Sequence, residues 1–369
     1  MSDNPLLKLH ALGQSIWLDY IQRGMFESGE MARLIEADGL AGMTSNPAIF
    51  EKAISGRDDY DAAIAGLART GASARDLYDT LTRDDVAQAA DLLRPVYERS
   101  GGRDGYVSIE VSPHLAHDSD ATIREAHVLW AHLARPNVMI KVPATRAGLP
   151  AIQALLADGV NVNVTLLFGL QRYHEVADAF VRGLEQRAAS GAPLDHVASV
   201  ASFFLSRIDT LVDQRLDALP DAGKSRHPLR GAAAIASARL AYQHYKQWTA
   251  GTRWQALAAQ GARTQRLLWA STGTKDPDYS DVKYVEALIG PDTVNTLPPD
   301  TLAAYRDHGS PALRLEEDLA AARELPAQLA KLGIDLEQVS DELEADGVKK
   351  FIAPFDKLLA ALEQRRAAI

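Results

Sequence analysis

The sequence predicts a closed α/β fold: a (β/α)8 TIM barrel with additional helices and a helical C-terminal extension. Three observations lead there. Eight short apolar, partly β-branched runs alternate with segments of helical periodicity, the order that builds a parallel sheet covered by helices. Polar and charged residues gather in the last third of those runs. One of them, Lys141, stands in the middle of an apolar run, residues 137–145, that is stopped by proline. A doubly wound open sheet alternates in the same way, but its strands need no equal polar load at their ends. In a barrel those ends converge on one mouth, where active sites of this architecture lie.

The first strand is read over residues 15–21, with Asp19 near its C-terminal end. A helix follows over about 28–36, with Ser28 as its cap and Gly39 as its stop. Residues 42–47 form a short second strand closed by an Asn-Pro turn signal, which leaves Thr44, Ser45 and Asn46 at a strand end. Residues 57–100 are helical: Val86, Ala89, Ala90, Leu93 and Val96 recur at mostly three- and four-residue spacing before Gly101 and Gly102. The third strand, 106–111, carries Glu110 at its end, and a helix over 119–134, capped by Ser119 or Asp120, leads to the fourth strand. A helix over 145–157 precedes the fifth strand, 160–167, whose alternation puts Asn161, Asn163 and Thr165 on one face. Helix 168–188 and a sixth strand over 197–205 follow. A helical region then runs to Gly261, broken near 223–228. Strands seven and eight cover 266–272 and 293–297. Residues from about 301 onward are helical and charged, and are read as an extension packed on a barrel core of about 15–300, all within one domain of 1–369.

Composition narrows the function. Apolar residues make up 47% and charged residues 24%, the profile of a soluble globular chain. A net charge of −10 argues against a broad nucleic-acid-binding surface, while a few local cations could still hold an anionic metabolite. The absence of cysteine excludes disulfides, thiolate metal sites and cysteine nucleophiles together. No apolar run is long enough to span a membrane and the first residues carry no leader pattern, so a cytoplasmic location and no membrane partner are expected. Nothing in the sequence specifies an oligomeric state.

Lys141 is the only lysine between Lys52 and Lys224. An unpaired buried ammonium is expensive, and a neutral amine in its place is a nucleophile toward carbonyls, the first requirement of Schiff-base chemistry. The plainer alternative, a lysine that snorkels to water from an edge strand, fails in a barrel, which has no edges. Glu110 and Asp19 supply the carboxyl groups that an imine mechanism needs to move protons, unless each merely pairs with a cation. Asn46, Asn163 and Thr165 are neutral hydrogen-bonding groups suited to a polyol chain, though buried polar residues are more often structural. Arg207 and Lys275, with Ser271, could clamp a phosphate near the last strands, against the alternative of solvated surface charge. No metal site is expected. The acidic segment at 276–281 lacks the glycine of a calcium loop and has Ala287 where the closing Glu belongs. His114, His117 and Asp118 stand without further ligands, Gly223-Lys-Ser lacks the upstream glycine of a phosphate loop, and no dinucleotide fingerprint follows the first strand.

Five stretches in order resemble the transaldolases, of the longer bacterial type. They are Met-Thr-Ser-Asn-Pro-Ala-Ile-Phe at 43–50, Val-Ser-Ile-Glu-Val at 107–111, Val-Met-Ile-Lys-Val-Pro at 138–143, Asn-Val-Asn-Val-Thr-Leu-Leu-Phe at 161–168 and Leu-Trp-Ala-Ser-Thr-Gly-Thr-Lys at 268–275. A weaker match reaches from Asp19 to the Lys-Lys-Phe-Ile tail at 349–352. The resemblance implies a (β/α)8 barrel that uses no metal or organic cofactor and takes sugar phosphates. It would move a dihydroxyacetone unit from sedoheptulose 7-phosphate to glyceraldehyde 3-phosphate in the pentose phosphate pathway, giving erythrose 4-phosphate and fructose 6-phosphate. By position it implies that Lys141 forms the Schiff base, Glu110 acts as acid/base through a water that Thr165 helps hold, and Asp19 handles the proton of the cleaved hydroxyl. Thr44, Asn46, Asn163, Ser202, Phe204, Arg207, Ser271 and Lys275 would contact substrate. Many relatives carry an arginine two residues after the serine matching Ser271, where this chain has Gly273; Lys275 is the nearby cation that would join Arg207 on the phosphate. Two rival readings are an aldolase of the same superfamily that releases free dihydroxyacetone, whose members resemble Gln at the place of Glu110, and a barrel that binds sugar phosphates without catalysis.

Overall fold

A computed structural model describes residues 4–219 and 227–369. Its strands are β1 (Gln14–Asp19), β2 (Gly42–Thr44), β3 (Tyr106–Glu110), β4 (Val138–Pro143), β5 (Val162–Leu167), β6 (Ser199–Phe204), β7 (Arg266–Ala270) and β8 (Thr293–Leu297). Each pairs in parallel with its neighbours in sequence, and β8 returns to β1, so the sheet closes. Closure explains why the strands read as near-continuous apolar runs: one face fills the lumen and the other lies under helices. The observed strands are one to three residues shorter at some ends than the apolar runs, because pairing stops before the run does.

Helices fill the crossovers. α1 (Pro5–Ala11) precedes β1; α2 (Arg23–Glu27) and α3 (Glu30–Ala37) precede β2; α4 (Pro47–Ser55), α5 (Asp61–Arg69) and α6 (Ala74–Arg99) precede β3. α7 (Ser119–Leu133), α8 (Gly148–Ala157) and α9 (Leu170–Ala189) connect β3 through β6. α10 (Ser206–Asp217), α11 (Ala233–Ala250) and α12 (Thr252–Ala258) lead to β7, and α13 (Lys283–Glu286) to β8. α14 (Pro299–His308) follows β8 and touches both β1 and β8, which makes it the barrel's eighth helix. The extension proper is α15 (Leu319–Lys331) and α16 (Leu336–Ala367).

Local chemistry corrects several expectations. Gly29, at φ +75°, precedes α3 in place of Ser28. Asp118, whose carboxylate accepts the Ala121 N–H at 2.9 Å, caps α7 in place of Ser119 or Asp120. Asn46-Pro47 ends a strand as expected, but it also starts α4. The Asn46 side-chain oxygen accepts the Ile49 N–H at 3.0 Å, and Pro47 supplies the first helical residue. The break expected near 223–228 lies largely outside the described residues.

The N-terminal end of the lumen is closed by a buried ion pair. Arg266 donates to Asp104 at 2.9 Å and to Ser15 Oγ at 2.8 Å, while Ser15 Oγ and Trp17 Nε1 donate to the same carboxylate at 2.8 and 3.3 Å. Trp17 covers this plug, and β2 can pass it only because Gly42 has no side chain: a Cβ there would stand 2.5 Å from the indole. Burial works to raise the Asp104 pKa, but Arg266 and the three hydrogen bonds outweigh it and hold the carboxyl below its ordinary value.

Asp104→Ala should therefore strand a buried guanidinium and cost about 3–5 kcal/mol, read as a lower urea midpoint. Because the folded-state pKa is depressed, the stabilisation is present at neutral pH and lost as pH falls through the carboxyl range. The variant should lose less stability than wild type on acidification, because the share that Asp104 contributes is already gone while other carboxyls held low, such as Asp91 and Glu185, remain.

Candidate active site

Strand register builds the opposite end. Glu110 on β3 pairs with Lys141 on β4, and Lys141 with Asn163 on β5, so three polar side chains point into the lumen in one row. Lys141 is 4% exposed, and its Nζ donates to the Ser45 carbonyl at 3.1 Å. No edge exists from which it could reach water, which disposes of the snorkelling alternative. Pro143 ends β4 two residues later, and its carbonyl lies 2.0 Å from where a Cβ on Gly148 would be, so only glycine lets α8 start so close beneath the strand.

Two carboxyl groups face this amine. Glu110 is buried, and neither of its oxygens has a hydrogen-bond partner among the described residues. Burial pushes its pKa up to about 7; the Lys141 charge opposes this and the Asp19 charge adds to it. Burial also raises the Asp19 carboxyl above its ordinary value, against the pull of Lys141, a hydrogen bond from Thr44, and the charges of Arg207 and Lys275. Thr44 Oγ1 donates to Asp19 Oδ1 at 2.7 Å and stands 2.7 Å from Thr296 Oγ1, so a short hydroxyl chain from β8 through β2 fixes the carboxylate on β1.

The remaining strands complete the wall. Asn163 is fully buried, donates to Ser108 Oγ at 2.9 Å and accepts from Ser202 Oγ at 2.7 Å, which leaves one amide hydrogen uncommitted. Thr165, on the same face, has a buried hydroxyl with no partner among the described residues. The next residue, Leu166, takes φ +56°, and β5–β6 pairing shifts register between Val164 and Leu167, a bulge at the rim. Ser271, just past β7, is at φ +54° and stands 2.8 Å from Ser206 Oγ. Left-handed backbone at non-glycine residues costs on the order of 1–3 kcal/mol each. Two of the five such residues among those described border this mouth.

Arg207 follows β6 and lies 5.6 Å from the Phe204 ring, with a buried Nη1 that no described residue satisfies. Burial lowers its pKa, opposed by Asp346 and Asp19. Lys275 sits exposed on the outer rim, near enough for its charge to act on Asp19. Asn46 spends its side-chain oxygen on capping α4 and keeps its NH2.

Lys141, Glu110, Asp19, Thr165, Asn163, Ser202, Phe204 and Arg207 thus line one mouth; Ser271 joins through Ser206, and Thr44 through Asp19. Sequence reasoning missed Ser108 and Thr296, although spacing held the signal: Ser108 is two residues before Glu110, and Thr296 lies late in the eighth strand. It also missed the Ser45 carbonyl, which no side chain announces, and Phe351 on α16, whose ring centroid is 5.9 Å from Lys141 Nζ. His114, set aside as a metal ligand, bonds Asp356 at 2.7 Å. Among the described residues no helix is long and apolar enough to cross a membrane. Chemically, a dry amine flanked by a protonatable carboxyl and a carboxylate can form and resolve an imine.

Comparison with known proteins places the chain in a family. Residues 16–362 match the family described as transaldolase/fructose-6-phosphate aldolase. The chain is 50% identical over 372 residues to transaldolase 2 of Nostoc sp., with 98% of each chain covered. It is 46% identical to a transaldolase of Trichodesmium erythraeum, covering 99% of this chain and 98% of that one. A transaldolase of Thiobacillus denitrificans is 48% identical, with 95% and 97% covered.

The electrostatics make a signed prediction. The Glu110 carboxyl, followed by infrared difference spectroscopy, should titrate near pH 7. Lys141→Met, which removes the opposing positive charge, should move that midpoint up, and Asp19→Asn, which removes a like charge, should move it down.

Proposed function

The chain belongs to the transaldolase/fructose-6-phosphate aldolase family, and we propose that within it the protein is a transaldolase working through a Schiff base on Lys141. The donor is a ketose phosphate such as sedoheptulose 7-phosphate or fructose 6-phosphate, and the acceptor an aldose phosphate such as glyceraldehyde 3-phosphate. The observation that carries this reading is the row Glu110–Lys141–Asn163 set opposite Asp19 in a closed lumen.

The amine of Lys141 adds to the donor's C2 carbonyl, and the carbinolamine loses water to give an iminium. Glu110, with a pKa near 7, gives up and recovers protons at neutral pH, and the free hydroxyl of Thr165 can hold the water through which it acts. Asp19 takes the proton of the C4 hydroxyl as the C3–C4 bond breaks, releasing the aldose and leaving the three-carbon unit on Lys141 as an enamine. The enamine carbon then attacks the acceptor aldehyde, Asp19 returns its proton to the new hydroxyl, and water frees the new ketose phosphate and the Lys141 amine. Thr44 serves chiefly to hold Asp19, because its hydroxyl is engaged there. The uncommitted amide hydrogens of Asn46 and Asn163 face the three-carbon hydroxyls, with Ser202 and Phe204 lining the pocket.

For the phosphate, the unsatisfied buried nitrogen of Arg207 is the primary donor, with Ser271 and Lys275 at the rim. A Cβ on Gly273 would meet Pro298 and Thr301 at 3.4 Å, ordinary contact, so the backbone there admits a first side-chain carbon. Lys275 acts as a point charge and not as a bidentate fork.

Borohydride reduction in the presence of fructose 6-phosphate should leave a dihydroxyacetone-sized adduct on the peptide containing Lys141. Folded protein that binds the sugar yet shows no adduct there would instead be a non-catalytic binding barrel. Glu110→Gln should lower kcat about 100- to 10,000-fold. Arg207→Ala should raise KM for fructose 6-phosphate about 10- to 100-fold, the worth of a charge-assisted hydrogen bond, with a smaller effect for Lys275→Ala. Equal turnover of fructose 6-phosphate with and without acceptor would favour the aldolase.

A further inference from the structure

We infer that Phe351, carried in by the C-terminal helix, is a wall residue of the active site that shields the Lys141-bound three-carbon unit from water, and so favours transfer over hydrolytic release. This rests on the Schiff-base reading above.

α16 lies across the C-terminal side of the barrel, touching α4, α6, α10 and β5. It is tied down along its length. Glu344 pairs with Arg172 of α9 at 3.6 Å, Lys357 with Glu51 of α4 at 2.9 Å, and Arg365 with Asp61 of α5 and with the Ile54 carbonyl at 3.1 Å. At the helix's closest approach to the barrel, Gly347 replaces a side chain: a Cβ there would stand 3.0 Å from Leu166, in the β5 bulge next to Thr165. One turn on, Phe351 is 3% exposed and faces the amine at 5.9 Å. A further turn on, Phe355 meets Tyr78 edge-to-face at 4.9 Å, and the Tyr78 ring adjoins Glu110 closely enough that the Glu110 charge acts on its hydroxyl. The extension therefore contributes an apolar surface to the part of the mouth that holds the amine and the acid, where neither Glu110 oxygen finds a partner among the described residues.

The chemistry supplies a reason for such a surface. After cleavage the three-carbon unit is an enamine on Lys141 and must wait for an aldehyde. Its unproductive fate needs only solvent. A proton adds to the enamine carbon, giving an iminium; water adds to C2; the C2–N bond breaks, the nitrogen keeping the electron pair, and free dihydroxyacetone leaves with the amine regenerated. A ring beside Nζ occupies the volume that water would hold on that side, and so keeps water from reaching C2.

The test compares wild type, Phe351→Leu and Phe351→Ala, with Leu358→Ala as a control in which a fully buried residue of the same helix is truncated two turns away. The readouts are borohydride trapping on Lys141 and the ratio of free dihydroxyacetone released from fructose 6-phosphate to sugar phosphate formed by transfer. Phe351→Ala should raise that ratio at least about tenfold. Phe351→Leu should raise it less, and Leu358→Ala should lower stability without changing the ratio. A ratio unchanged in a Phe351 variant that still traps on Lys141, or raised equally by Leu358→Ala, overturns the inference. If Phe351→Ala does not fold, Phe351→Leu alone decides. Wild type that fails to trap at Lys141 instead overturns the Schiff-base reading itself.

Discussion

Closing eight parallel strands leaves no edge, and so a charged side chain inside the sheet has to be accommodated within the lumen. Lys141 is placed there by the register of β4, and its surroundings follow from that placement. One backbone carbonyl, from Ser45, accepts a hydrogen bond from it at 3.1 Å. Two carboxyl groups stand near enough for its charge to act on them, and burial lifts each above its ordinary value. An amine on an open sheet would have reached water and gained nothing from those neighbours. Confinement makes it a reagent.

The two ends of the lumen treat buried polarity in opposite ways. At the N-terminal end the charged pair is matched: Arg266, Asp104, Ser15 and Trp17 bond one another and the carboxyl's pKa is held down, while the neutral amide oxygens of Gln14 and Gln265 there lack a partner among the described residues. At the C-terminal end both Glu110 oxygens, the Thr165 hydroxyl and an Arg207 nitrogen are left without a partner among the described residues. Unmatched buried groups weaken a fold, and evolution retains them where a ligand completes them. The left-handed Leu166 and Ser271 lie at the same end. Stability is therefore concentrated at one end of the barrel, and chemistry at the other.

α16 connects these themes. Its sequence reads as a charged surface helix, yet Gly347, Phe351 and Phe355 form one buried stripe at four-residue spacing that lies over the mouth. The helix thereby gives the open end of the barrel an apolar covering that the short crossover after β4, 144–147, does not provide. A loop could close the same space, but a helix pinned by ion pairs to α4, α5 and α9 holds its aromatic residues in place without an ordering cost at each turnover.

The architecture, the strand order and most of the site were legible in the sequence, because period-two and period-3.6 patterns report burial directly and strand ends in a barrel share one destination. Lys141, Glu110, Asp19, Asn163 and Ser202 each sit in a strand whose apolar run is plain, so their places along the strands followed from counting. Caps were less legible: α3 starts after Gly29 and not after Ser28, and α7 uses Asp118 where Ser119 and Asp120 were equally eligible, because the cap is set by where the helix starts. Contacts without a local signature were decided by tertiary structure alone. Thr44 bonds a residue on β8, the Lys141 acceptor is a main-chain oxygen, and Phe351 arrives from some two hundred residues along the chain. A sequence states which residues are apolar and how far apart they lie along the chain; only closure of the barrel and docking of α16 determine which of them share a wall, because those proximities are set by packing between segments that carry no local record of each other.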